Sequence, residues 1–185
     1  MNTLIALVAL IAQDPVATRA DDMLNLATAD QPLVHSAIVD ANVREVWRAW
    51  TTTEGIKSWM VAEGDVDLKI GGKIRTAYKA GTDLAGPDAI ENTIIAFDPG
   101  RMLSIRNTKA PEKFPFKKAI SEVWTVIYLE TEGATKTKVT VRMLGYKRDQ
   151  ESIQMRRFFM EGNKQTLDAL VARFQSRRTR GEAGS

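Results

Sequence analysis

The stretch that decides the fold reads DANVREVWRAWTTTEGIKSWM over residues 40–60 and continues as VAEGDVDLKIGGK over residues 61–73. Its first part predicts a short amphipathic helix, because apolar side chains recur at helical spacing: Val43, Val46, Trp47 and Trp50. Asp40 or Asn42 can cap the start of this helix through a side-chain oxygen. Thr52 or Thr53 can cap a second helical turn, which ends near Trp59. Two short helices are therefore expected after the first strand.

Segments of alternating polarity on both sides of these helices predict an antiparallel sheet. The first strand is LVHSAIVDA, and DVDLKI and KIRTAY are expected to form a hairpin with a tight turn at Gly71-Gly72. AIENTIIAF and RMLSIRN are joined through Asp98-Pro99-Gly100, and SEVWTVIYLE and TKVTVRML are joined through TEGAT. The segment TKAPEKFPFKKA, with its two prolines, is predicted to be a loop.

One long helix is predicted at the C-terminal end, from Asp149 or Gln150 to about Phe174. Its apolar stripe is formed by Met155, Phe158, Phe159, Leu167, Leu170, Val171 and Phe174. Because the sheet must bury one face, this helix is the natural cover. The sequence therefore predicts an α+β fold of about six to seven antiparallel strands curved around the helix, with a gap between them that can hold a ligand.

Composition limits the chain to one folded domain, placed at residues 32–175. With 185 residues and 44% hydrophobic content, one substantial core is possible. The segment from Arg173 to Ser185 carries a net charge of +3, which equals the net charge of the whole chain. The rest of the chain is therefore neutral overall. We expect a basic flexible tail over residues 176–185 and no nucleic-acid binding. The absence of cysteine and the single histidine, His35, exclude thiolate and multi-histidine metal sites, and no metal or other cofactor is expected.

The N-terminal segment has a separate composition. An apolar run from Leu4 to Ala12 is too short to span a bilayer, but it fits the core of a signal peptide. We therefore expect residues 1–12 to be a signal peptide, residues 13–31 to be a linker, and the mature protein to be periplasmic or secreted. The alternative is a short N-terminal helix that lies on the domain of a cytoplasmic protein.

A set of positions resembles a known superfamily. These are Asp40-Ala41, Val46-Trp47, Ala49-Trp50-Thr51, Trp59, Gly71-Gly72, and Gly145-Tyr146 before the last helix. They are similar to the SRPBCC superfamily, which includes START domains and birch-pollen allergens, and within it to the branch of the C-terminal domain of the activator of heat-shock-protein-90 ATPase. The resemblance covers roughly Pro32 to Phe174 and implies a helix-grip fold. It also implies a Gly-Trp pair inside the last helix, where this chain has Gly162-Asn163.

This resemblance implies binding of a small apolar or amphipathic molecule between the sheet and the last helix. The expected ligand-binding residues are Trp59, Trp124, Tyr128, Met143, Phe158, Phe159 and Gly162, with Met160 a further candidate. Trp47 and Trp50 are better explained by packing than by ligand contact. Alternation places Trp124 and Tyr128 on one face of their strand and Ile127 and Leu129 on the other, but the sequence does not say which face is inward.

Two other functions are compatible with the same resemblance. One is an enzyme similar to polyketide cyclases or dehydratases, which would use His35, Tyr128 or Glu122 as an acid-base group. The other is a protein-interaction module similar to the chaperone activator, with an exposed apolar patch. His35 can have either of two roles: it contacts a ligand, or it is a structural residue. The segment from Arg101 to Lys118 is either a lid whose Phe114 and Phe116 cover a ligand, or a solvated loop whose phenylalanines fill the domain's own core.

Overall fold

The computed structural model describes residues 28–182, with side chains to residue 175. Seven strands and four helices follow one another along this part of the chain: β1 (Leu33–Val39), α1 (Val43–Thr51), α2 (Thr53–Lys57), β2 (Glu63–Val66), β3 (Lys73–Ala77), β4 (Ile90–Asp98), β5 (Met102–Lys109), α3 (Lys117–Glu122), β6 (Trp124–Glu132), β7 (Lys136–Leu144) and α4 (Gln150–Glu182). The predicted signal peptide and residues 13–27 of the predicted linker lie outside the described residues. The prediction of an α+β fold with two short helices after the first strand is confirmed.

The strands form one curved antiparallel sheet in the order β1-β7-β6-β5-β4-β3-β2. The first strand pairs with the last, so that Leu33 lies opposite Met143. Every other pair of neighbours is consecutive in the chain, as the predicted hairpins require. The turn at Gly100, with φ of 76°, joins β4 to β5 as predicted.

The two short helices begin at side-chain caps. The Oδ1 atom of Asn42 accepts a hydrogen bond from the backbone N–H of Glu45 at 3.1 Å, which starts α1. The Oγ1 atom of Thr52 accepts one from the N–H of Gly55 at 3.0 Å and starts α2. Of the alternatives left open by the sequence, Asn42 and Thr52 are therefore the caps. Val46, Ala49 and Trp50 of α1 are buried against the sheet.

Three elements differ from the sequence prediction. Strand β2 ends at Val66 rather than at Ile70, and residues 67–72 form a loop instead of a tight turn. The cause is the hydrogen bond from the N–H of Gly71 to the carbonyl of Ile94, which pulls the loop towards β4. Helix α3 occupies part of the predicted loop, and α4 continues beyond Phe174 to Glu182, into the stretch predicted as a flexible tail.

Helix α4 covers the concave face of the sheet. Its Leu167, Leu170 and Phe174 share one core cluster with inward-facing sheet residues, among them Val139, Val141, Ile127, Leu129, Leu103 and Ile94. A second cluster lies at the start of α4, where Met155 packs with Leu33, Met143, Tyr146 and the buried face of α3. No helix within residues 28–182 is long and apolar enough to cross a membrane.

Candidate functional site

Helix α4 covers the sheet unevenly. Its backbone lies near β1 and α3, and inward-facing residues of β7, such as Val141 and Met143, are buried. On the same face of β4, β5 and β6, some side chains keep partial exposure although their neighbours Ile94, Leu103 and Ile127 are buried. They and two residues of the segment from α2 to β2 define what we call the concave groove: Trp59, Met60, Asn92, Phe97, Ile105, Asn107 and Thr125. Half-buried, inward-facing side chains indicate a surface that α4 leaves accessible.

Gly162 leaves empty volume on the side of α4 where its Cβ atom would lie. The residue is buried in α4, yet a Cβ atom placed on it would meet no side-chain or sheet atom closer than Phe159 Cδ1, at 4.0 Å. Glycine within a helix costs about 1 kcal/mol relative to alanine, so close packing does not explain its presence here. The next residue, Asn163, donates through Nδ2 to the Sδ atom of Met143 at 3.3 Å, which fixes this part of α4 above β7. Met143 pairs across the sheet with Thr125 of the groove.

Met143 contributes to the site through its sulfur atom. Its side chain is buried, and its Sδ also accepts from the hydroxyl of Tyr146 at 3.4 Å. Burial raises the pKa of Tyr146, against a smaller opposing effect of the Arg156 guanidinium, which lies 6.0 Å from the ring centroid. The sulfur is thus held by two donors, and Met143 forms a fixed wall between α4 and β7.

Phe158 and Phe159 belong to an aromatic cluster at the start of α4. Phe114 stacks edge-on against Phe116 at 5.6 Å and against Phe158 at 5.9 Å, and Phe158 meets Phe159 at 5.2 Å. All four rings are half-buried, and three of them, those of Phe114, Phe116 and Phe159, pack against the second core cluster. This arrangement matches the core-filling interpretation of the segment before α3 and joins that segment to α4.

Glu151 fixes the same segment through hydrogen bonds. Helix α3 begins without a side-chain cap of its own, and instead the Oε1 atom of Glu151 in α4 accepts from the N–H groups of Lys118 and Ala119, at 3.0 and 3.1 Å. A carboxylate at a helix N-terminus satisfies free donors and interacts favourably with the helix dipole. The sequence prediction missed this helix because its cap is supplied by a residue distant along the chain.

His35 lies on the inner face of β1, opposite Val141. Its Nδ1 atom is buried and makes no hydrogen bond within the described residues. Burial lowers the pKa of His35, the nearby charge of Arg156 lowers it further, and the charge of Glu161 and a hydrogen bond with the Met160 backbone oppose these effects. The imidazole is therefore held neutral at pH 7.

Several predicted site residues lie away from the gap. Trp124 and Tyr128 occupy the outer face of β6, because the register sets Ile127 and Leu129 on the face that packs against α4. The side chain of Tyr128 is 40% exposed, and Trp124 stacks under Arg106 at 5.7 Å. Their expected place in the gap is thereby corrected. Met160 is 43% exposed, and the carboxylate of Glu122 is paired with Lys147 at 2.7 Å.

Three of the four tryptophans, Trp47, Trp50 and Trp59, lie in α1 and just after α2. Trp50 is buried and meets Trp59 edge-on at 4.9 Å, and the indole N–H of Trp59 donates to the carbonyl of Ala49 at 3.0 Å. Trp47 packs against Phe97 at 6.4 Å. Trp59 is thus positioned by α1 while its ring stays half-buried at the groove.

Two surface pockets lie elsewhere. One, of about 410 Å³, is bounded by α1, α2 and the side chains of Arg173 and Phe174. The other, of about 480 Å³, lies beside the β4–β5 turn and includes Tyr128. Neither pocket can be predicted from the sequence, because both combine residues far apart in the chain. Among residues 28–182, no cluster of histidine, aspartate and glutamate side chains could hold a metal ion.

The curved seven-stranded sheet, the helices after β1 and the long covering helix define the class of protein: this is a helix-grip protein of the SRPBCC type. Residues 40–175 match the family model described as Activator of Hsp90 ATPase homolog 1-like protein, and the chain belongs to that family. No protein of curated function matches the sequence.

Solved structures show the same fold. The protein MLL2253 from Mesorhizobium loti is 16% identical, with 79% of this chain and 98% of that chain covered and a TM-score of 0.61. NE0264 from Nitrosomonas europaea is 20% identical, with 82% and 98% covered and a TM-score of 0.61. Aha1 from Colwellia psychrerythraea, solved as a dimer, is 15% identical, with 77% and 95% covered and a TM-score of 0.59. At these identities the likeness concerns the fold alone.

Proposed function

We propose that this protein binds a small apolar or amphipathic molecule in the concave groove, without catalysing a reaction. The observation that carries the proposal is Gly162, a buried helical glycine with open space on the side where its Cβ would lie. Inward-facing side chains of the groove, such as Ile105 and Phe97, are only half-buried, whereas a closed core would bury them completely. A ligand that covered them would gain roughly 25 cal/mol for each Å² of apolar surface removed from water.

This proposal keeps only some of the ligand-binding residues predicted from the sequence, because Trp124 and Tyr128 lie on the outer face of β6. Trp59 is one of the residues that define the groove, and Met143 pairs with Thr125 of the groove. Gly162 precedes Asn163, which contacts Met143. Phe158 and Phe159 belong to the aromatic cluster and would shape the end of the groove nearest α3.

The alternative functions are supported by fewer observations. An enzyme would need an acid-base group in the groove, and of the three candidates only His35 lies on the inner face. A protein-interaction module would need a continuous exposed apolar patch. The exposed Val34 and Ile38 of β1 instead lie opposite charged residues, Arg142 and Lys138.

Binding of the neutral fluorescent probe N-phenyl-1-naphthylamine tests the proposal. We expect saturable binding by the wild-type chain and its loss in Gly162→Leu, whose side chain would occupy the empty volume. The matched control is Ala172→Leu, which adds the same side chain to an exposed position of the same helix. Absence of saturable binding in the wild type, or equal binding by Gly162→Leu and Ala172→Leu, would contradict the proposal.

We also propose that the protein is exported after removal of residues 1–12, on the basis of the apolar run from Leu4 to Ala12. The mass of the protein purified from a bacterial host that expresses the full sequence tests this. An intact N-terminus would contradict export through this segment.

A further inference from the structure

The inner face of the sheet is free of charge where it forms the concave groove. The register places apolar side chains together with Asn92, Asn107 and Thr125 at the inner positions of β4, β5 and β6. The charged residues of this region lie on the outer face, where Lys73 and Arg75 pair with Glu91 at 3.0 and 3.1 Å. A charged ligand group in the groove would therefore lose hydration without gaining an ion pair from the sheet.

Asn107 is held in one orientation. Its Nδ2 atom donates to the carbonyls of Lys109 and Glu91, at 3.1 and 3.3 Å, and lies 3.5 Å from Asn92 Oδ1. Because two backbone carbonyls surround it, the atom at this position must be the nitrogen. The Oδ1 atom of Asn107 is consequently the acceptor that remains, and no hydrogen bond among the described residues engages it.

Thr125 adds a second uncharged polar group to the same face. It lies opposite Ile105 on β5 and opposite Met143 on β7. Its hydroxyl makes no hydrogen bond within the part of the chain that the structure describes. A fixed acceptor and a rotatable hydroxyl on an otherwise apolar surface are suited to a ligand hydroxyl, phenol or amide N–H.

We infer that the concave groove selects neutral ligands that carry a hydrogen-bond donor over carboxylates or amines with the same apolar skeleton, and that Asn107 and Thr125 contribute this selectivity. This inference rests on the proposed function, because it concerns the same groove. A carboxylate has no hydrogen to donate and would bring a negatively charged oxygen towards the Oδ1 atom of Asn107. A hydroxyl can donate a hydrogen bond to the same atom.

Displacement of bound N-phenyl-1-naphthylamine by 1-decanol, decanoate and decylammonium at pH 7.5 tests the inference. The part of probe binding that Gly162→Leu removes is the part assigned to the groove, and displacement is scored on that part. We expect 1-decanol to displace the probe at a concentration at least tenfold below that of either charged competitor. In Asn107→Leu and in Thr125→Val this advantage is expected to shrink about threefold to tenfold, the equivalent of one hydrogen bond.

The variants separate selectivity from simple hydrophobicity. A preference that came only from the greater hydrophobicity of the alcohol would be the same in wild type and in both variants. Thr125→Val keeps the shape of the side chain, so it tests the inference even if Asn107→Leu does not fold. Equal displacement by decanoate, or an alcohol preference unchanged in both Thr125→Val and a folded Asn107→Leu, would overturn the inference. Failure of the wild type to bind the probe at all would instead contradict the proposed function.

Discussion

His35 makes the free energy of unfolding depend on pH just below neutrality. It is the only histidine of the chain, and its pKa lies below the ordinary value of 6.5 because of burial and the charge of Arg156. As the pH falls below 6.5, the unfolded chain takes up a proton that the folded chain does not. The free energy of unfolding must therefore decrease with falling pH until the folded-state pKa is passed.

We expect His35→Gln to remove this decrease between pH 6.5 and pH 5.5, as measured by urea unfolding at a series of pH values. The carboxylates with lowered pKa values, such as Glu63 and Glu91, begin to affect stability only as the unfolded chain takes up protons around pH 4.5, which is below this window. An unchanged slope in His35→Gln would show that another group causes the pH dependence.

Two glycines should respond to alanine with opposite signs. Gly162→Ala places a methyl group in open space and improves helix propensity, so we expect a gain of about 1 kcal/mol in the free energy of unfolding. Gly145 has a φ of 93°, and a Cβ atom there would lie 2.6 Å from the carbonyl oxygen of Glu122. We expect Gly145→Ala to lose more than about 1 kcal/mol. Chemical denaturation measures both, and destabilisation by Gly162→Ala would show that the space is not available.

The sequence could not predict which face of strand β6 points inward. Alternation separates Trp124 and Tyr128 from Ile127 and Leu129, but which pair is inward depends on where α4 docks. Both pairs are apolar enough to be buried, so composition does not decide between them. The position of Gly162 in the last helix was visible from the sequence, whereas the open space beside it was not.

At the scale of elements, the sequence predicted the helix starts and turns that are stabilised by residues close by in the chain. The caps of α1 and α2, and the turn at Gly100, lie within a few residues of the elements they define. The end of β2 and the existence of α3 depend on distant partners, Ile94 and Glu151 respectively, and both were missed.

Glu151→Ala tests the dependence of α3 on α4. Removal of the acceptor for two helix N-terminal N–H groups should cost about 1 kcal/mol and increase hydrogen exchange at the amides of Lys118 and Ala119. Hydrogen exchange at the amides of β3 should increase only as much as the decrease in the global free energy of unfolding requires. The control is Gln154→Ala, on the exposed face of the same helix. Unchanged protection at Lys118 and Ala119 would show that α3 does not need this cap.

At the scale of the whole molecule, one core cluster joins most of the sheet to α1, α2 and α4, so these parts should unfold together. We expect Leu170→Ala, at a fully buried position of α4, to cost about 2–5 kcal/mol. Tryptophan fluorescence and far-ultraviolet circular dichroism should shift to the same new midpoint, as two-state unfolding requires.

The comparison for this prediction is Ile70→Ala, because Ile70 is 73% exposed in the loop after β2. That substitution should change the free energy of unfolding by less than about 0.5 kcal/mol. Separate midpoints for the two signals in Leu170→Ala would show that sheet and helix unfold independently.

The pairing of β1 with β7 has a consequence for synthesis on the ribosome. Leu33 must wait for Met143 to be translated and released from the exit tunnel before the strand finds its partner. At about 5–20 residues per second, this delay lasts several seconds or more. During that time β1 offers an unpaired edge with apolar Val34 and Ile38, which is the kind of segment that chaperones shield from aggregation. The nascent chain, rather than the finished protein, is therefore the form most exposed to misassembly.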